Sequence, residues 1–379
     1  MSFLTKMIID FRTAKKIAAK HGTPVIAISE NRIKHNYNTF KKYMPRVEVH
    51  YAVKSNGHRG VLNILRNCGS NFDVASFAEI EYLLSIGVDA TRMIYSNPVK
   101  MEQDIVRAYN VGVEWFVYDS DAEIKKLARY APESEVVLRV AVANNHTMYK
   151  LSSKFGADPK HAIRLLLKAK KAGLSPTGIT FNAGSHTLGA ADYIEGIKMC
   201  KGLFKEAKKE GITLDTIDIG GGFPPLGDEN VNSQVILQEI YEALDEYFPK
   251  ETGVEIIAEP GRFLVMDAGT IITKVIGKAN RGGTMWYYLD DGTSNSLTDI
   301  KFSGWKFDFL VSRRGRKKLS VLAGPTCDSF DVISKEEWLP EMEVGDLVLV
   351  PIAGAYTNGL ASRYNGFEPA KIVYVNGKI

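Results

Sequence analysis

Between residues 47 and 261 the chain repeats one pattern eight times: a short apolar, β-rich run, then a stretch with helical periodicity. The runs are VEVHYAV (47–53), NFDVAS (71–76), MIYSN (93–97), WFVYD (115–119), VVLRVAV (136–142), GITFNAG (178–184), TIDIGGG (216–222) and EIIAEPG (255–261). Amphipathic segments such as FAEIEYLLSIG and HAIRLLLKAKKAG lie between them, the second closing on the helix-stopping Gly173. Eight strands alternating with helices predict an α/β fold with a parallel (β/α)8 TIM-like barrel. Strand counting alone leaves a doubly wound open sheet as the competitor.

After Arg262 the rhythm changes. TIITKVIGKA, TMWYYLDDG, KKLSVLAG, DLVLVPIAGAY and AKIVYVNGK are strand-like, with little helix between them. They predict a C-terminal, mostly antiparallel β-domain. The expected division is a barrel over 25–263 and a β-domain over 264–379, completed by the N-terminal segment 1–24.

At 379 residues the chain can bury a large core, and 45% hydrophobic with 24% charged residues is ordinary for a globular protein. A net charge of +4 and the lack of long basic blocks argue against nucleic acid as a partner; RRGRKK (313–318) reads as a solvated turn. Cys68, Cys200 and Cys327 are widely spaced and odd in number, which fits a reducing compartment rather than a disulfide framework. No CxxC or HExxH pattern suggests a metal. The N-terminus lacks the apolar core of a signal peptide, and no apolar run approaches ~18 residues, so no membrane and a cytoplasmic location are expected.

In a closed βα barrel the chemistry sits where the strands end. Those ends carry Lys54, Asp73, Asn97, Arg139, Ser185, Gly220-Gly221-Gly222, and Glu259 with Arg262. Singly each has an ordinary explanation: Lys54 and Asp73 as strand-end caps, the glycines as a turn, EPGR as a surface ion pair. Their convergence on one rim favours a site. Glycines let backbone N–H groups approach an anion, arginine clamps it, and the loops after strands seven and eight are where barrels commonly hold phosphate. A phosphate ester with a reactive lysine suggests pyridoxal 5'-phosphate bound covalently, with Glu259 keeping its pyridine nitrogen protonated.

The motifs YAVKSN, FDVASFAEI, IYSNPVK, LSSKFGA, DIGGGFP, AEPGRF, YYLDDG, GPTCDSFD, GAYT and YNGFEP run nearly end to end. With them the chain resembles the fold type III (alanine-racemase-fold) pyridoxal-phosphate decarboxylases, in the branch of ornithine decarboxylase and its lysine/ornithine relatives. The resemblance implies that Lys54 carries the cofactor, that Asp73 is an acid beside it, and that Arg139 approaches the phenolic oxygen. Ser185, Gly220, Gly221, Gly222, Arg262 and Tyr356 would hold the phosphate, with Gly261 and Asn182 among the cofactor contacts. Cys327 would enter the active site of the other subunit of a homodimer and reprotonate carbon after CO₂ leaves. Asp291 and Asp328 would grip the substrate's distal ammonium, a carboxylate pair suited to a cationic tail.

Two departures stand out. The family motif Phe-His-Val-Gly-Ser reads FNAGSH here, so Asn182 replaces a ring-stacking histidine, and His186 reads as a plain loop histidine. After LDDG the chain continues TSNSLTDIKFSGW, which alters the segment that shapes the substrate pocket. The expected reaction is decarboxylation of a basic L-amino acid, L-ornithine to putrescine or L-lysine to cadaverine, within polyamine biosynthesis. The alternatives are a diaminopimelate-like, arginine or conjugated substrate, or a non-catalytic, cofactor-binding regulatory homologue. A racemase is disfavoured by Glu259 and by PTCD.

Overall fold

The computed structural model describes residues 7–150 and 153–376. Leu151 and Ser152 of the LSSKFGA motif, and residues 1–6 of the expected N-terminal segment, lie outside the described residues. The chain divides into two compact units: Asn36–Phe263, and a second built from the described residues up to His35 and from Leu264 onward.

In the first unit the eight expected runs form Val47–Ala52, Asn71–Val74, Met93–Tyr95, Trp115–Tyr118, Glu135–Val140, Ser175–Phe181, Thr216–Asp218 and Glu255–Ala258. They close into a barrel, which removes the open-sheet alternative. Each pairs in parallel with the next, as in Tyr51↔Phe72 and Asp73↔Ile94, and Ile257↔Glu48 completes the ring. Ile94, Val117, Val137 and Ile257 are fully buried in one cluster. Since the strand of Ile257 neighbours none of the other three, their side chains meet through the barrel interior. Two of the helices start on serine caps: Ser76 accepts from Glu79 N while Glu79 accepts from Ala75 N, and Ser120 accepts from Glu123 N. Helix Ala162–Lys171 stops before Gly173, at φ +84°.

The second unit is built on an eight-stranded mixed sheet whose central strand is Gly269–Arg281. That strand pairs antiparallel with Thr284–Leu289 and with Leu347–Pro351. Lys318–Ala323 joins Thr284–Leu289 in parallel, so the sheet is mostly, not wholly, antiparallel. Val25–Ser29 corrects the expected boundary: it belongs here, not to the barrel. It pairs antiparallel with the central strand (Val25↔Ile272) and parallel with Lys371–Val375 (Ile26↔Ile372). Flanked on both edges and buried at every position, this apolar run has its ladder groups and side chains satisfied only in this sheet. Its Val25 and Ala27 pack with Ile8, Ile9, Ile17, Ile272 and Leu349. RRGRKK is exposed throughout, with Arg313 Nε 2.6 Å from Asp346. No helix among the described residues is long and apolar enough to cross a membrane.

Candidate active site

The first barrel strand ends at Ala52 and turns at once through Val53–Ser55, which puts Lys54 just beyond the rim. Ser55 Oγ lies 2.8 Å from Ala52 O and 2.9 Å from the Tyr51 hydroxyl, and that hydroxyl donates to Asn56 O at 3.0 Å. The buried neighbours fix the turn while Lys54 stays half-exposed, its Nζ 2.6 Å from Asp73 Oδ2. The lysine is the exposed member and the aspartate the buried one, so the contact aims the amine from a fixed carboxylate. Asp73 is buried, and Ser96 donates to its other oxygen.

Opposite this turn, the loop after Glu255–Ala258 comes close. Pro260 O accepts from Ala52 N at 3.3 Å, and a Cβ on Gly261 would sit 2.9 Å from Ser55 Cβ. Glycine is required there by packing, not by φ. Glu259 and Arg262 flank it and are both buried. Burial pushes the Glu259 carboxyl well above the ordinary carboxylate range, reinforced by Asp218 and Asp73 and only partly opposed by Lys54 and Arg139. Burial likewise raises Asp218, although Thr180 Oγ1 and Gly220 N donate to it at 2.7 and 2.8 Å. A buried carboxyl whose proton affinity is raised can share a proton with a basic ring nitrogen and serve as its counter-charge.

The triglycine follows Asp218. Gly220 and Gly222 have φ +67° and +108°, and a Cβ on Gly221 would meet Glu259 O at 2.5 Å. Side chains are excluded, so the backbone itself faces the rim, an arrangement suited to an anion. Ser185 opens the short strand Ser185–Thr187, which pairs with Thr147–Tyr149. Arg262 lies over the Tyr149 ring at 5.6 Å, and Arg139 lies 5.4 Å from the Phe155 ring. Asn182 turns its Oδ1 to Gly184 N at 2.9 Å, so its amide serves as a turn cap. His186 departs from the expected plain loop histidine: it is fully buried, with Nε2 2.6 Å from Asp228 Oδ2.

Tyr356, Asp291, Cys327 and Asp328 lie in the other unit. Tyr356 is partly buried at φ +55°. Cys327 is exposed, its N–H and Sγ within 3.2 and 3.4 Å of Asn365 Oδ1. Asp328 accepts from Phe330 N at 2.9 Å. Asp291 is fully buried; Oδ1 accepts from Gly292 N and Ser296 N at 2.9 and 3.0 Å, and Oδ2 has no hydrogen-bond partner among the described residues. Burial pushes this carboxyl up to about 6, against those backbone bonds and the nearby Ser296 hydroxyl.

Sequence reasoning assigned no role to Asp331, yet it ties these loops together. Its Oδ1 accepts from Thr293 N and Oγ1 at 2.8 and 2.9 Å; its Oδ2 accepts from Thr326 N and Oγ1 at 3.1 and 2.7 Å. A Cβ on Gly292 would strike the same carboxylate at 2.5 Å. One buried aspartate therefore holds the Asp291 loop beside the Cys327 loop.

An amine aimed by a carboxylate, a backbone anion cradle with a buried arginine, and a buried glutamate of raised proton affinity fit a phosphorylated aldehyde carried on a pyridine ring. Residues 30–266 match the family described as pyridoxal-dependent decarboxylase, pyridoxal binding domain. This chain belongs to that family. It is 37% identical to the lysine/ornithine decarboxylase of Selenomonas ruminantium, over 96% of this chain and 92% of that protein. It is 36% identical to the ornithine decarboxylase of Mus musculus, over 88% and 76%. The crystal structure of SrLDC in complex with PLP and cadaverine superposes with a TM-score of 0.92 at 36% identity, covering 97% of this chain and 94% of that one. The decarboxylase is thus a pyridoxal-phosphate enzyme on the lysine/ornithine branch.

Proposed function

We propose that this decarboxylase acts on a basic L-amino acid ending in a primary ammonium, L-ornithine or L-lysine, and releases putrescine or cadaverine. The observation that carries the substrate class is Asp291: a fully buried carboxyl, one oxygen of which has no hydrogen-bond partner among the described residues. A buried acceptor left unmet costs on the order of 1–3 kcal/mol, and a substrate ammonium would meet it. The names of the two relatives support the same class.

In this reading Lys54 binds the cofactor, and Asp73 keeps the amine oriented. Gly220, Gly221, Gly222, Ser185, Arg262 and Tyr356 receive the phosphate, with Gly261 and Asn182 shaping the approach. Arg139 would approach the phenolic oxygen, and Glu259 would pair with the ring nitrogen. Bound there, pyridoxal phosphate supplies a carbonyl for the substrate amine and a ring that accepts the electrons left by CO₂. Cys327 donates its thiol proton to the carbon that lost CO₂, with Asp328 beside it as the second carboxylate for the distal ammonium. The thiol's exposure, with Phe330 82% exposed three residues on, suits a site completed by a second copy. In this reading the functional form is a homodimer with shared sites, working in the cytoplasm in polyamine biosynthesis.

The test is a CO₂-release screen of cofactor-loaded protein against ornithine, lysine, arginine, diaminobutyrate and diaminopimelate, with products named by mass spectrometry. Putrescine or cadaverine as the main product supports the reading; agmatine, or lysine made from diaminopimelate, refutes it.

A further inference from the structure

His186 follows Ser185 directly and holds a left-handed backbone, φ +57°, a conformation that costs a non-glycine residue and persists only when its surroundings impose it. Its side chain is held by a part-buried contact. The ring is fully buried, and Nε2–H donates to Asp228 Oδ2 at 2.6 Å. Asp228 lies in the segment after the triglycine, and its Oδ1 accepts from Asn230 N and Nδ2 at 2.9 and 3.1 Å. Burial works against ionisation of Asp228, but the bonds from His186 and Asn230 prevail and hold its carboxyl below the ordinary range.

The same two segments are joined a second time. Thr187 N donates to Gly222 O at 3.0 Å, and a Cβ on Gly222 would run into Gly184 O. On the other side of the triglycine, the Tyr193 hydroxyl donates to Gly221 O at 2.7 Å. Loops from two different strands thus meet at one anion cradle, with a part-buried His–Asp contact behind them. Taking such a pair out of water is costly, and fixing one register between two segments is its best-attested use.

We propose that His186 and Asp228 form a clamp that sets the spacing of the Ser185 loop against Gly220–Gly222 and thereby how slowly the enzyme releases its cofactor. The inference rests on the assignment of those residues to the phosphate. Both are positioning residues and touch no reacting atom. Donors on two loops serve one phosphate only while their separation is kept to a fraction of an ångström, and a site held ready in that state loses less freedom on binding.

The experiment uses holoenzyme carrying His186→Asn, which tolerates the left-handed backbone but is shorter than the ring, or Asp228→Asn, which keeps shape but loses the charge. Cofactor release into a carbonyl scavenger is followed by absorbance, and the melting temperature of each cofactor-free protein is taken alongside. The expected result is release faster by about tenfold in each variant, with the double variant no worse than either single one. The cofactor-free proteins should melt within about 2 °C of the parent. Unchanged release in folded variants overturns the clamp. So does a melting temperature that falls in step with release, or failure of both variants to fold, since the pair would then be a structural support. Ser185→Ala separates this idea from the phosphate assignment: if it speeds release while the clamp variants do not, the clamp alone fails; if it too has no effect, the assignment fails.

Discussion

In the barrel unit the functional side chains leave from strand ends, and the parallel ladder already fixes where each begins; in the β-unit they leave from loops, and buried side chains do the fixing. Lys54 is placed by a turn whose partners, Tyr51 and Ser55, lie within a few residues of it. Asp291 has local backbone donors in Gly292 and Ser296, but its loop and the Cys327 loop are joined by Asp331, which lies 38 residues beyond Thr293. The first arrangement suits a cofactor common to a family, since the ladder survives changes in loop sequence. The second suits a substrate pocket, where exchanging a few loop residues changes what is bound while the sheet stays intact.

The contrast can be broken by substitutions that should act on only one side of it. Lys54→Ala should abolish turnover, by roughly 10³-fold or more, because no other group replaces a covalent carrier. Borohydride reduction and peptide mapping of the parent should find the pyridoxyl mass on Lys54. Asp291→Ala should lower kcat/KM for diamino acids by ~10²-fold while cofactor absorbance stays unchanged. Loss of the cofactor instead would erase the distinction between the two regions. Arg262→Ala should do the reverse, weakening cofactor affinity by roughly 10- to 100-fold, read by fluorescence titration. Asp331→Asn should cost kcat/KM about tenfold, with cofactor affinity kept, because the amide nitrogen cannot accept from the threonine donors.

The smallest effect is the pH dependence of diamine binding. Burial pushes the Asp291 carboxyl up to about 6, above its ordinary value, so its protonated form favours the folded state. That contribution is complete below the unfolded value near ~4 and is lost as pH rises through 6. A diamine needs the ionised form, so its affinity should be flat above pH 6 and fall about tenfold per unit below it. Cadaverine-induced thermal shifts measured across that range check the sign. Tighter binding at pH 5 than at pH 7 would remove Asp291 from the ammonium site.

The barrel was legible because its strands are short apolar runs between helices, and the strand-end residues could be read from them in order. Val25–Ser29 was credited to the barrel because an apolar run does not say which ladder will take it. Val332–Leu339 went unseen because it is an edge strand, and Lys335, Glu336 and Glu337 dilute its apolar signal. Asp218, Asp331 and the His186–Asp228 pair were illegible for another reason. Each acts through hydrogen bonds to distant segments, the last across 42 residues, and no local spacing announces such partners.

In the proposed function, Lys54 of one copy and Cys327 of a second copy serve the same reaction. Lys54→Ala and Cys327→Ala homodimers should each be severely impaired. Mixed under conditions that let subunits exchange, half the dimers become heterodimers, and in each of these one of the two sites has both a native lysine and a native cysteine. About a quarter of the parent activity should therefore return. Exchange verified by mass spectrometry with no recovery of activity would contradict the account, because it would mean that both residues serve one site from one chain.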